Sequence, residues 1–136
     1  MSNHFPDYVR RAVAELAEER TTLSIWLVGS QASGTAKESS DWDLLVFSNA
    51  EPRERSRRCA ELDVIHVGPS GRFLAEGESA ANFTLSFANW AWKEQGDQAT
   101  YTGRDFSGDE TVRNAELTPF DRPHRQAIRI WLRSSA

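Results

Sequence analysis

The sequence lacks the features of several large protein classes. Its 136 residues include a single cysteine, Cys59, which cannot form an intramolecular disulfide, so we expect a reducing compartment. No apolar run approaches the roughly 20 residues that span a bilayer. The first residues also lack the basic and apolar regions of a signal peptide. These absences predict a cytoplasmic protein that does not contact a membrane.

Positive charge is also scarce. Sixteen Lys and Arg residues stand against twenty Asp and Glu residues, which gives a formal net charge of -4. Sequence-independent binding of duplex nucleic acid needs a basic face, so this composition does not favour it. Five Trp and seven Phe residues argue against intrinsic disorder. The length is that of one ordinary domain, and we expect residues 1–136 to form it.

Hydrophobic spacing predicts a helix and three strands in the first half of the chain. Apolar residues recur at helical spacing from Phe5 to Leu16, which predicts a helix over residues 5–20. The short continuous apolar run at residues 25–28 is typical of a buried strand, and the largely apolar residues 42–47 and 62–67 predict a second and a third strand.

Shorter helical segments are expected between these strands. Residues 30–33 can form a helical turn that Gly34 closes, and Pro52 can open a helix that runs to about Cys59. The alternation of helices and strands predicts an α/β or α+β domain with one central sheet.

The second half of the chain leaves two interpretations open. Residues 83–92 fit strands with a bulge near Ala88, and a helix fits them nearly as well. We prefer strands, because residues 90–102 have the pattern of a hairpin with Gly96 in its turn. Residues 126–132 alternate like a strand but also satisfy a helix.

Three aspartates lie within strand-like apolar segments, where an uncompensated carboxylate is costly. Asp41 and Asp43 are two residues apart, so they share one face of the predicted second strand. Asp63 lies in the third predicted strand and can supply another carboxylate. Such a set can converge on a pair of divalent ions, and its oxygen ligands suit Mg²⁺ or Mn²⁺.

Gly29 and Ser30, at the end of the first predicted strand, supply a complementary part. A glycine lets the backbone approach a ligand closely. The N–H groups of the following turn and the Ser30 hydroxyl can bind a phosphate. Together with the aspartates, these residues predict a nucleoside triphosphate bound with Mg²⁺.

These residues also carry a family resemblance. The segment from Gly29 to Gly34, followed by Ser40-Asp41-Trp42-Asp43 and later by Asp63, resembles the signature of the DNA polymerase β-like nucleotidyltransferase superfamily. The match is closest to the small bacterial members called minimal nucleotidyltransferases. It covers about residues 5–68 and leaves residues 69–136 as a C-terminal extension, in which we expect the additional hairpin.

The resemblance implies a mixed central sheet flanked by helices, and an activity. The activity is metal-dependent transfer of a nucleoside monophosphate from a nucleoside triphosphate to an acceptor hydroxyl. Gly29 and Ser30 would hold the triphosphate, for which we expect ATP. Asp41 and Asp43 would bind both of two Mg²⁺ ions, with Mn²⁺ as the alternative. Asp63 would bind the catalytic ion and help to activate the acceptor, which could be a protein or an RNA.

The chain departs from the family pattern at Ser33, where small members often carry a basic residue. Lys37, Arg72 or an arginine of the C-terminal tail could take its place. Minimal nucleotidyltransferases often pair with a small helical toxin. The alternative function is therefore an antitoxin-like or regulatory module that acts by binding a small helical partner protein.

Two further features are expected to be structural. Arg53, Arg55, Arg57 and Arg58 would form a solvated face of the predicted third helix, with steering of a nucleotide or RNA acceptor as the alternative. His66 would be a packed, hydrogen-bonded histidine rather than a catalytic one.

Overall fold

The fold is that of a computed structural model, which describes residues 5–34, 41–79, 86–102 and 125–134. The helices are α1 (Asp7–Glu18) and α2 (Gly29–Ser33), with a 3₁₀ helix at Phe87–Trp90. The strands are β1 (Thr22–Val28), β2 (Trp42–Ser48), β3 (Leu62–Val67), β4 (Phe73–Ala75), β5 (Lys93–Gln95), β6 (Gln98–Tyr101) and β7 (Arg125–Leu132).

The seven strands form one mixed sheet in the order β4-β3-β2-β1-β7-β6-β5. β2 and β3 run parallel, and the other neighbouring pairs run antiparallel. The structure is therefore mixed α+β, as predicted. Within the parts of the chain that the structure describes, no helix has both the length and the apolar character needed to cross a membrane.

α1 covers one face of the sheet. Its apolar stripe, which the spacing predicted, buries Val9, Ala12, Val13 and Leu16. This stripe packs against residues of β1, β2 and β3, namely Ile25, Leu27, Leu44, Val46, Leu62 and Val64. Because neighbouring strand residues point to opposite faces, Trp26 and Leu45 lie on the other face. There they join an aromatic cluster that includes Phe73, Phe87, Trp90 and Tyr101.

The predicted helix from Pro52 to Cys59 is wrong. Residues 51–57 have no regular secondary structure, because long-range contacts hold this segment in place. Arg55 makes two hydrogen bonds of 2.8 Å to Glu19, at the end of α1. The backbone N–H of Gly77 donates to the Arg55 carbonyl at 2.7 Å. A Cβ at Gly68 would lie 2.9 Å from the Glu51 Cα, so the backbones pack closely there. Tertiary contacts here override helix propensity.

The arginines between 53 and 58 do not form one solvated face. Arg58 lies 2.6 Å from Glu15 and 2.9 Å from the buried Glu76. The second oxygen of the Glu76 carboxylate lies 2.8 Å from His66 Nε2, so His66 is packed and hydrogen-bonded as predicted. Burial alone would raise the pKa of Glu76, but the hydrogen bond to His66 and the charge of Arg58 lower it. This network joins the segment between β2 and β3 to α1 and β4.

The predicted hairpin is confirmed, with β5 and β6 paired on either side of Gly96. The bulged strand predicted near Ala88 is wrong. That segment is the 3₁₀ helix, in which the Ser86 hydroxyl accepts the N–H of Ala88. Phe87 and Trp90 lie three residues apart and are both buried. Residues 83–85 lie outside the described part of the chain.

The ambiguous C-terminal segment is a strand, β7, and it lies between β1 and β6. Its register with β1 pairs Ile25 with Trp131 but Trp26 with Arg129, so Ile130 is an extra, bulged residue. The bulge breaks strict alternation, which explains why the apolar pattern also fitted a helix. Neither the position of β7 nor the short strand β4 was predicted from the sequence.

Candidate active site

Five strands begin or end at the same end of the sheet, which we call the site edge. Gly29 follows the end of β1, and the starts of β2 and β3 carry Asp43 and Asp63. β6 ends there at Tyr101, which pairs with Arg125 at the start of β7. The predicted site residues therefore share this edge with two residues from the C-terminal extension.

Asp43 and Asp63 are register partners on the parallel strands β2 and β3. Their side chains therefore point to the same face, with the two carboxyl groups close enough for a hydrogen bond between them. Such a bond requires a proton on one of them. Burial raises the pKa of Asp43 to about 7, and the negative charges of Asp63 and Asp41 act in the same direction.

Asp41 lies just before β2 and is exposed. It is close enough for its charge to act on Asp43, and also on Tyr8 of α1, whose pKa is raised mainly by burial. Across residues 5–34, 41–79, 86–102 and 125–134, no three acidic, histidine or cysteine side chains lie close enough together to hold a metal ion. The structure thus brings two of the three predicted aspartates into contact and leaves Asp41 beside them.

Gly29 packs directly against Asp43. Its φ of +75° lies in the left-handed region that favours glycine, and a Cβ there would lie 2.3 Å from Asp43 Oδ2. The sequence predicted that the backbone at Gly29 approaches a ligand closely; in the structure it approaches this carboxylate. Ser30 follows in α2 and is partly exposed, and Gly34 ends α2 as predicted.

Arg57 is a cation of this site, a position that the sequence did not predict for it. Its Nη2 lies 3.0 Å from Asp63 Oδ1. The guanidinium also donates to the backbone carbonyls of Cys59, at 2.9 Å, and Ala60, at 2.7 Å. Only the path of the irregular segment between β2 and β3 brings this side chain to Asp63. No local sequence pattern distinguishes it from its neighbouring arginines.

Arg125 is a second cation at this edge. Its positive charge lowers the pKa of Asp43 and that of Tyr101, in both cases against the larger effect of burial. It is one of the tail arginines that the sequence offered in place of a basic residue at position 33.

Among the residues that the structure describes, the other candidates for that role lie elsewhere. Arg72 follows the opposite end of β3, in the turn to β4. Arg129 lies 5.7 Å from the centre of the Trp26 ring. Arg133 donates to the carbonyls of Ala17, Glu19 and Thr22, beyond the far end of β7. Lys37 and Ser40 lie outside the described residues.

The carboxylate pair fits a divalent cation. Burial raises the pKa of Asp43 and the neighbouring charge of Asp63 adds to it, so both carboxylates ionise easily only when a cation neutralises them. Carboxylate oxygens are the ligands that Mg²⁺ and Mn²⁺ prefer. Arg57 balances the charge of Asp63 only in part, because its side chain is 42% exposed and therefore screened by water.

The contact between Gly29 and Asp43 can be tested with two alanine substitutions. Gly29→Ala and Gly34→Ala both place a Cβ at φ +75°, but only the first meets another group, since nothing lies within 4 Å of the second. We expect Gly34→Ala to cost about 1 kcal/mol of unfolding free energy from backbone strain alone. Gly29→Ala should cost at least about 2 kcal/mol, because the Asp43 carboxylate must also move. Urea denaturation of both variants measures the difference, and equal costs would contradict the contact.

Comparison with known proteins assigns a family. No curated protein and no solved structure matches the chain. The family model described as Nucleotidyltransferase domain matches residues 8–84, which is more than half of the 136 residues. The match includes Gly29, Asp43 and Asp63, and it reaches beyond the residues 5–68 that the motifs covered. The chain therefore belongs to the nucleotidyltransferase domain family of the DNA polymerase β-like superfamily.

Proposed function

We propose that this protein transfers a nucleoside monophosphate from a nucleoside triphosphate, with ATP as the donor, to an acceptor hydroxyl in a metal-dependent reaction. The contact between Asp43 and Asp63 beside the Gly29 turn is the observation that carries the proposal. Family membership supports the class of reaction. The single cysteine supports a cytoplasmic setting.

The three aspartates have distinct proposed roles. Asp41 and Asp43 would hold two divalent ions, Mg²⁺ or Mn²⁺, and Asp63 would hold the ion nearer the acceptor. When bound, such ions neutralise the charge that builds on the attacking and leaving oxygens of an in-line displacement. The Asp63 side chain is 38% exposed, so an acceptor can reach it. As the acceptor oxygen bonds to the α-phosphorus and pyrophosphate leaves, the Asp63 carboxylate would take the acceptor proton.

Two arginines would neutralise the phosphates. Arg125 is exposed beside the Gly29 turn, and its charge already acts on Asp43 and Tyr101. We propose that it replaces the basic residue that small family members carry at position 33. The Arg57 guanidinium, which two backbone carbonyls hold at Asp63, would lie on the acceptor side. Arginine suits this role because its planar fork matches phosphate oxygens.

Metal-dependent binding of the triphosphate should require Asp43. In titration calorimetry with a non-hydrolysable ATP analogue, we expect binding in the presence of Mg²⁺ and a loss of at least about tenfold in affinity without it. Asp43→Asn should reduce the affinity by a similar factor, because one negative ligand of the ion is lost.

Asp97→Asn is the matched control, since it removes the same charge from the exposed turn between β5 and β6. Its affinity should equal that of the unmodified chain. Binding that does not depend on Mg²⁺, or that Asp43→Asn leaves intact, would overturn the proposed metal role. Incubation with α-labelled ATP and cell lysate then identifies the acceptor: label on protein, on RNA, or on neither. Tight binding to a small helical protein with no label transfer would favour the antitoxin-like alternative.

Arg125 should contribute to phosphate binding more than an equally charged arginine elsewhere. Arg125→Gln and Arg72→Gln make the same change in net charge, at the site edge and at the opposite end of β3. We expect Arg125→Gln to weaken binding of the Mg²⁺–ATP analogue by about tenfold at low salt, with a smaller difference at high salt. Arg72→Gln should change the affinity less than about twofold. If the two variants lose affinity equally, Arg125 has no specific role.

A further inference from the structure

The hydroxyl of Tyr101 accepts a hydrogen bond of 2.7 Å from the backbone N–H of Gly29. The two residues are 72 positions apart in the chain, and Tyr101 is only 2% exposed. Tyr101 ends β6 and lies beyond residues 8–84, which the family model matches. The C-terminal extension therefore reaches into the turn that the sequence analysis assigned to phosphate binding.

The Tyr101 hydroxyl has little freedom to move. Its ring stacks on Trp90, with 5.6 Å between ring centres and 27° between planes, and lies 5.9 Å from the Trp92 ring. The next residue, Thr102, donates its backbone N–H to the Trp90 carbonyl at 2.7 Å, a bond that does not depend on its side chain. On its other side, β6 pairs with β7 through Tyr101 and Arg125. The aromatic cluster thus fixes the position of the hydroxyl.

A fixed hydroxyl also fixes the Gly29 peptide. Gly29 has the left-handed φ of +75° and packs against the Asp43 carboxylate, so a small rotation of this peptide would change the spacing between the turn and Asp43. Displacements of about 1 Å in a positioning group can cost a large factor in rate. The hydrogen bond from Tyr101 restrains this rotation.

We propose that Tyr101 is a positioning residue of the nucleotide site, which holds the Gly29 amide and so sets the distance between the Gly29–Ser30 turn and Asp43. Because the Gly29 N–H is already engaged, the phosphate contact of the turn falls to Ser30. This inference rests on the proposed function, since it assumes that the turn binds the triphosphate.

Tyr101→Phe tests this role because it removes the hydroxyl and keeps the ring that packs on Trp90. Thr102→Val is the matched control, since it removes a hydroxyl hydrogen bond from the adjacent residue without touching Gly29. We expect Tyr101→Phe to weaken binding of the Mg²⁺–ATP analogue by about fivefold to tenfold, the effect of losing one buried hydrogen bond. Thr102→Val should keep the affinity within about twofold, even where its stability falls.

A second measurement follows the Gly29 amide itself. In metal-free and nucleotide-free protein, Tyr101→Phe should shift the amide resonance of Gly29 and speed its hydrogen exchange, whereas Thr102→Val should not. A Tyr101→Phe chain with a displaced Gly29 amide but unchanged nucleotide affinity would overturn the positioning role. So would an unchanged Gly29 amide. If the unmodified chain binds no Mg²⁺–nucleotide at all, the proposed function fails, and the nucleotide role of Tyr101 fails with it.

Discussion

The contact between Asp43 and Asp63 is the constraint on which the rest of this structure depends. It exists because β2 and β3 are parallel and in a register that places the two aspartates side by side. Parallel neighbours cannot be joined by a tight hairpin, so the chain must cross over from the end of β2 to the start of β3. Residues 49–61 make this crossover without regular secondary structure, which is unusual for such connections. Ion pairs replace helix packing in holding the crossover: Arg55 binds Glu19, and Arg58 lies between Glu15 and Glu76.

That arrangement links the stability of the crossover to the chemistry of the site. The same segment that is anchored through Arg55 and Arg58 carries Arg57 to Asp63. On the other side of the carboxylate pair, the aromatic cluster of the extension places Tyr101 on the Gly29 amide. The site edge is therefore supported from both flanks by parts of the chain that contribute no aspartate. This division is typical of functional sites, in which a packed scaffold holds a small number of costly polar groups.

Much of the site could be predicted from the sequence because its residues lie beside short apolar segments that can be recognised locally. Largely apolar segments predicted β1, β2 and β3. Gly29, Asp43 and Asp63 each lie at or next to an end of one of these strands. Strand parity alone then predicts which side chains share a face. The long-range features could not be predicted in this way. Local propensity favoured a helix after Pro52. The ion pairs to Glu19 and Glu76 that prevent it join residues far apart in the sequence, so no local pattern predicts them.

In the C-terminal extension, too, local patterns predicted the secondary structure better than the long-range strand order. The hairpin of β5 and β6 was predictable from its turn, but chain order does not reveal that β7 lies between β6 and β1. Only that insertion brings Tyr101 and Arg125 to the site edge. The bulge at Ile130 also interrupts the alternation of β7, so its apolar pattern did not distinguish a strand from a helix. These two residues thus belong to the site through topology rather than through any motif.

The central claim is that Asp43, buried beside Asp63, holds a proton which a divalent cation displaces. Calorimetric titration of Mg²⁺ and the ATP analogue, in buffers of different ionisation enthalpy, measures the protons released on binding. With the pKa of Asp43 near 7, the account predicts release of close to one proton at pH 6 and far less at pH 8.5. It also predicts a smaller release from Asp63→Asn, because the negative charge of Asp63 adds to the effect of burial on the pKa of Asp43. Binding at pH 6 without proton release, or with the same release from Asp63→Asn, would contradict it.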